Sequence, residues 1–316
     1  MKEVKLARLT ISAALIVAAI SAAAAEPAMD FHFEAVSEHS RCVWERDKLV
    51  LVYNHGPIAK PELPGARARS SYIHPVYGLD GEILTDDFPK DHLYHRGLYW
   101  AWPHIKIGDK EYDLWSARTD LQDRFVRWTH EEVSSTGAKL GVENGWFADD
   151  KKLVREEVRL YVHPASADSR AIDVELSWTP IDQPLTLWGA EGKSYGGINF
   201  RAAPRTTTII TVPEGRMADD LLMKRLPWAD ISGNFAGARG LSGAAIFVPS
   251  DHPNYPPTWM TRHYGLLSVG WPGTEPQTFP PNEPIRCRYR VWIHRGNPEA
   301  AEIQKAYGAY RDDTKQ

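Results

Sequence analysis

The chain has 316 residues and a formal net charge of −4, from 37 Lys and Arg against 41 Asp and Glu. No basic stripe runs through it, which argues against a nucleic-acid partner. Twelve Trp and thirteen Tyr supply many flat rings, for a core or for a ligand.

Lys2, Lys5 and Arg8 precede the apolar run Leu9 to Ile20, and small residues fill Ser21 to Ala25. That order predicts a signal peptide over 1–25, cleaved after Ala25, and a periplasmic or secreted protein. An uncleaved anchor shares the same charged start, but the run is only about a dozen residues against the ~20 a spanning helix needs. No later run comes near that length, so no membrane span is expected in the mature chain.

Residues 26–316 carry no linker, charge block or repeat and read as a single domain. Alternation with period two recurs in Val43–Tyr53, Leu153–Val162, Ala171–Trp178, Thr206–Val212, Ala244–Val248 and Arg286–Ile293. Each such run suits a strand with one wet and one buried face. Gly and Pro, 23 of each, punctuate the runs in turn-like clusters such as Gly78 to Gly81. The pattern predicts an all-β protein, a large antiparallel sandwich or barrel. The first thirty or so mature residues, including Pro57 to Pro64, are expected to be looser. One helix is expected near the end, with Asn297 and Pro298 as cap and first position. Ala300, Ile303, Ala306, Tyr307 and Tyr310 would share one face of it. Cys42 and Cys287 could bridge if their strands are neighbours, or each could be a buried thiol. Neither has a partner at CxxC spacing, so neither reads as a metal ligand.

Three segments could carry chemistry. The first runs from Arg69 to Trp102 and holds His74, Asp91, His92, His95, Arg96 and Trp100. Three histidines among aromatic residues suit a pocket mouth, with a proton donor or acceptor near neutral pH. The same histidines could instead bond to backbone around a sheet interface. His92 and His95, with His74 or Asp91, could also hold a divalent metal, although the spacing is a weak signal. In the second, Glu191, Lys193, Tyr195, Asn199 and Arg201 surround the pair Gly196-Gly197. No helix pattern follows those glycines, so a phosphate cradle is not expected. A bulge where ligand meets backbone fits better, as would a surface hairpin with solvated charges. The third, Asp251 to Gly265, reads as a Pro-stiffened loop bearing His252, Asn254, Trp259, Arg262 and His263, either a binding loop or an ordered connection.

Together these segments resemble the PmoA-like family of exported bacterial proteins, over about residues 40 to 312. The resemblance lies in Tyr72-Ile-His74-Pro75 with Asp91-His92-x-x-His95-Arg96-Gly97-Leu98. It continues in Lys193-x-Tyr195-Gly196-Gly197 with Arg201, and in Asp251-His252-Pro253-x-x-Pro256 with Trp259 and Tyr264-Gly265. That family's name points to a methane oxygenase subunit, an activity that requires several apolar spans and does not fit this chain. The resemblance implies a galactose-mutarotase-like supersandwich with a short C-terminal helix. Such folds place a His and a carboxylate on the concave sheet as acid and base, here matched in kind by His95 (or His92) and Glu191. The expected function is therefore acid–base chemistry on a sugar, of epimerase, lyase or hydrolase type, with a carbohydrate as partner and no cofactor. A non-catalytic sugar-binding protein and a His-ligated metalloenzyme are the alternatives.

Overall fold

Twenty-two strands and one helix make up the regular structure of the computed structural model, which describes residues 30–63 and 67–313. The expected signal segment 1–25 lies outside them. Nine strands form one antiparallel sheet, in the order Phe31–Ser37, Ser40–Glu45, Lys48–Asn54, Tyr72–Val76, Leu98–Ala101, Gly197–Arg201, Leu266–Gly270, Thr258–Arg262 and Leu222–Arg225. It is called the first sheet below. A second nine-stranded antiparallel sheet centres on Ser242–Phe247, Ile285–Arg295, Ser169–Pro180 and Lys151–Val162. A small four-stranded sheet contains His104–Ile107 and Leu185–Trp188.

The two large sheets pack face to face through their alternating side chains. In Ser169–Pro180, Ile172, Val174, Leu176 and Trp178 are buried, and Asp173, Glu175 and Ser177 face outward. Leu98–Ala101 is buried at all four positions instead, because loops cover the outer face of the first sheet there. Trp102 packs edge-on against Trp178 at 4.9 Å and beside Trp146 at 5.7 Å, so much of the tryptophan supply is core. At the centre of the sandwich Glu156 is fully buried. The indoles of Trp100, Trp146 and Trp178 donate to its Oε2 at 2.9, 3.1 and 2.8 Å, and Asn144 Nδ2 donates to Oε1 at 3.0 Å. A carboxylate this deep is tolerated only because its lone pairs are met.

The all-β expectation stands, and several local boundaries move. Val43–Tyr53 is two strands rather than one, folded back at Arg46, whose φ of 55° makes the turn. Thr206–Val212 becomes strand only from Ile209. The stretch 251–265 is not all loop, since Thr258–Arg262 pairs with Leu266–Gly270 through a turn at Gly265 (φ 120°). The helix spans Ala300–Asp313, so its start lies two residues beyond the expected first position Pro298, and Glu299 rather than Asn297 stands at the cap. The Glu302 carboxylate accepts the Glu299 N–H at 2.9 Å, which fixes the start. Its buried Ile303, Tyr307 and Tyr310 cover Trp228 and Phe247. Cys42 and Cys287 are free thiols in different sheets, and burial pushes them up to about 11 and about 12. Among the described residues no helix is long and apolar enough to cross a membrane.

Gly97 joins the histidine segment to the first sheet at a point with no room for a side chain. A Cβ there would lie 2.3 Å from the Ile73 carbonyl oxygen and 2.9 Å from His74 Cβ. Gly97→Ala must therefore push two strands apart. It is expected to lower stability by about 3 kcal/mol, read from the urea midpoint.

Candidate functional site

Strand pleat decides which side chains reach the outer face of the first sheet. Trp100 turns inward to Glu156, so its neighbour Tyr99 turns outward. Asn199 pairs with Tyr99 on one side and with Ser268 on the other, which sets three polar side chains abreast. Arg201 follows two residues later on the same face. Tyr99, Asn199 and Ser268 have no exposed surface, and Arg201 keeps 5%.

The segment after Pro89 covers this row. Successive turns, from His92 N–H to the Pro89 carbonyl and from His95 N–H to the His92 carbonyl, bring both imidazoles over it. His95 is buried, and its ring lies flat on that of His92, centroids 4.6 Å apart at 7°. Tyr94, Trp115 and Tyr99 enclose His95 at 5.0, 5.5 and 6.0 Å. Tyr264 stacks near His92 at 5.1 Å, and Tyr195 packs on Trp115 at 4.4 Å. Asp91 ties the cluster together. Its Oδ2 lies 3.0 Å from His92 Nδ1, and its Oδ1 accepts from Arg201 Nη2 at 2.7 Å. The Arg201 guanidinium lies over the Tyr264 ring at 4.7 Å, and that of Arg69 over Tyr99 at 5.1 Å.

Burial, reinforced by His92 and Arg201, pushes the His95 pKa down to about 2, so this imidazole is neutral. Burial raises the Tyr99 phenol and keeps it protonated. Burial also acts to raise Asp91, but the bonds from His92 and Arg201 outweigh it and hold the carboxyl below its usual range. Polar atoms of the cluster with no hydrogen-bond partner among the described residues include His95 Nδ1, Tyr99 Oη, Asn199 Oδ1, Ser268 Oγ, Nη1 of Arg69, and Nε and Nη1 of Arg201. A finished protein core rarely leaves so many together.

Of the residues singled out in the sequence, His92, His95, Tyr195, Asn199 and Arg201 come together here. Glu191 and Lys193 are exposed on the turn after Ala190. No contact joins Glu191 to His95, and the carboxylate that meets the histidine pair is Asp91. His74 faces outward nearby, but its Nδ1 is bonded to Thr85 Oγ1 at 3.0 Å. Arg96 is turned away. It lies on Phe88 at 3.5 Å and donates to the carbonyls of Leu93, His95 and Arg67, tying the loop together. Trp100, Trp259 and His252 point into the interior, Trp259 to the Leu226 carbonyl and His252 to Tyr289 Oη. Asn254 is held by the Pro272 carbonyl and by Arg225. Arg262 and His263 sit at the rim, both on Asp220. Tyr99 could have been found from the strand pattern, since it alternates with Trp100. Ser268, Trp115, Tyr264 and Arg69 depend on register and loop packing, which local sequence does not display.

Among the described residues no three His, Cys, Asp or Glu side chains are placed to share a metal ion. His92 and His95 stack face to face, so their in-plane lone pairs do not converge, and His74 is already engaged. None of the curated proteins matches this chain. Solved structures similar to it include the following two. One is described as a candidate kojibiose phosphorylase from the human microbiome, 7% identical, with a TM-score of 0.35 over 88% of this chain and 32% of that one. The chain thus spans about a third of that relative's length. The other is a galactose mutarotase related enzyme from Lactobacillus acidophilus, 11% identical, with a TM-score of 0.30 over 85% and 99% of the two chains. The profile of a family of unknown function, DUF6807, matches residues 43–308, and this chain is a member of that family.

Proposed function

We infer that this is an exported carbohydrate-active protein that performs acid–base chemistry on a sugar at the outer face of the first sheet. The row of buried, unpartnered polar atoms under aromatic rings carries the reading. Sugars present hydroxyls to bond and C–H faces to stack, and this cluster offers both counterparts. His95 would take a proton from the sugar at Nδ1, and the phenol of Tyr99 would supply one. Asp91 would hold the outer imidazole, His92, in register. Such pairs serve epimerisation, elimination and hydrolysis alike. The likeness of the three segments to PmoA-like exported proteins, and the leader pattern, support the exported setting. A non-catalytic binding protein is favoured by one observation, the depth of the His95 depression. An imidazole this averse to protons can bond a ligand without turning it over.

A thermal-shift screen against mono- and oligosaccharides tests the reading. A ligand at about a hundred times its Kd should add about 2.7 kcal/mol of stability, and His95→Ala should abolish the shift. Flat melting curves across the whole panel would overturn it. Turnover of a stabilising sugar, lost in His95→Gln, separates the enzyme from the binding protein.

A further inference from the structure

Three guanidinium groups converge on this face with N–H bonds that the protein leaves unpaired. Arg201 makes one side-chain hydrogen bond, from Nη2 to Asp91, so Nε and Nη1 have no partner. Those two atoms carry three of its five N–H donors. Arg69, over the Tyr99 ring, has an unpartnered Nη1, and Asp113 acts on it only through space. Arg205 sends Nη1 and Nη2 to the carbonyls of Ala203 and His263 and keeps Nε unpartnered.

The negative charge nearby is thin. Asp91 is 43% exposed and divided between Arg201 and His92. Asp86 acts on both Arg201 and Arg205 through space, burial raises its own pKa, and its Oδ1 accepts the Asp87 N–H at 2.9 Å. Asp220 is taken at the rim by Arg262 and His263. A neutral sugar would bond Tyr99, Asn199 and Ser268 yet leave a buried guanidinium facing only hydroxyls. Buried cationic N–H groups are better met by an anion, and a planar carboxylate suits a guanidinium in both charge and shape. A phosphate dianion fits less well, because Nη2 is already bonded to Asp91 and that carboxylate would repel it.

Resting on the carbohydrate reading of this face, we propose that the ligand is a sugar acid. Its carboxylate takes the unpaired N–H groups of Arg201, and Tyr99, Asn199 and Ser268 hold its hydroxyls.

Calorimetric titration of the protein with glucuronate and galacturonate, with glucose and galactose, and with glucose 6-phosphate tests this. The uronates should bind at least about tenfold more tightly than their neutral parents. Arg201→Gln should bring the two within about threefold. Asp91→Asn, which removes the competing carboxylate, should widen the gap. If Arg201→Gln does not fold, raised salt gives the second measurement, since it weakens an ionic contact and spares a neutral one. Neutral sugars as tight as their acids, a gap that survives in Arg201→Gln, or tighter phosphate would overturn the proposal while leaving the carbohydrate reading in place. Binding of no sugar in any class would sink both.

Discussion

Glu156→Gln is expected to remove about 3–6 kcal/mol of folding stability, enough to leave the chain close to unfolded. Glu156 Oε2 is the sole acceptor for three indole N–H groups, and Oε1 takes one hydrogen of Asn144 Nδ2, whose other hydrogen goes to Tyr53 Oη at 2.9 Å. A glutamine offers one oxygen and one NH2. Turned so that its oxygen meets the indoles, it has two lone pairs and no charge for three N–H groups, and Asn144 must flip its unpartnered Oδ1 toward the NH2; turned the other way, the NH2 confronts all three indoles. Each buried donor left without an acceptor costs about 1–3 kcal/mol. Asp123 makes the contrast. Burial and the charge of Glu156 raise its carboxyl far above the usual range, so it is protonated and donates to Glu156. Asp123→Asn still donates there, through an amide, and should lose no more than about 1 kcal/mol. Urea midpoints at unchanged m-value provide the comparison. A Glu156→Gln loss below about 1 kcal/mol would mean that the indoles find other acceptors, and that this centre does not hold the sheets in place.

That centre also bears on the site. Trp100 is pinned inward by Glu156, and Tyr99, one residue earlier on the same strand, is thereby pinned outward. The fold class was legible in the sequence because period-two alternation reports a sheet face directly, as Ile172, Val174 and Leu176 show. Site membership was legible only where residues lie close in sequence. His92 and His95 are joined by a short turn, and Asn199 and Arg201 share one strand face. The pairing of Asn199 with Tyr99 and Ser268 joins segments far apart in the chain, and only register displays it. Glu191 and Asp91 illustrate the same limit from the other side. Both are carboxylates near promising motifs, but backbone turns place one in solvent and the other against His92 and Arg201.

Acidification from about pH 6.5 to about pH 4 is expected to destabilise the protein steeply, through three histidines that the fold holds neutral. Burial is the leading cause in each, pushing His95 down to about 2 and both His74 and His252 down to about 4. In the unfolded chain a histidine titrates near pH 6.5. Between the two values the unfolded state binds more protons than the native one, so stability rises with pH and is complete above about 6.5. A depression to about 4 corresponds to about 3 kcal/mol per histidine, and His95 adds more. Asp87 opposes them. Burial raises its carboxyl to about 6 despite Arg96, so it adds stability at low pH that fades as pH rises from about 4 to about 6. Its share is about 3 kcal/mol, the protonated Asp123 acts in the same direction, and the three histidines outweigh the two aspartates between about pH 7 and about pH 5. Urea midpoints should therefore fall clearly between about pH 7 and about pH 5, and His252→Gln should flatten that slope. A midpoint that holds level or rises on acidification would show that these imidazoles are not kept neutral. His95 and His252 then part company when a ligand is present. A bound sugar acid sets negative charge beside His95, raises its pKa and shrinks its share of the acid lability. His252, bonded to Tyr289 at 2.9 Å inside the sandwich, lies away from that charge and keeps its share unchanged.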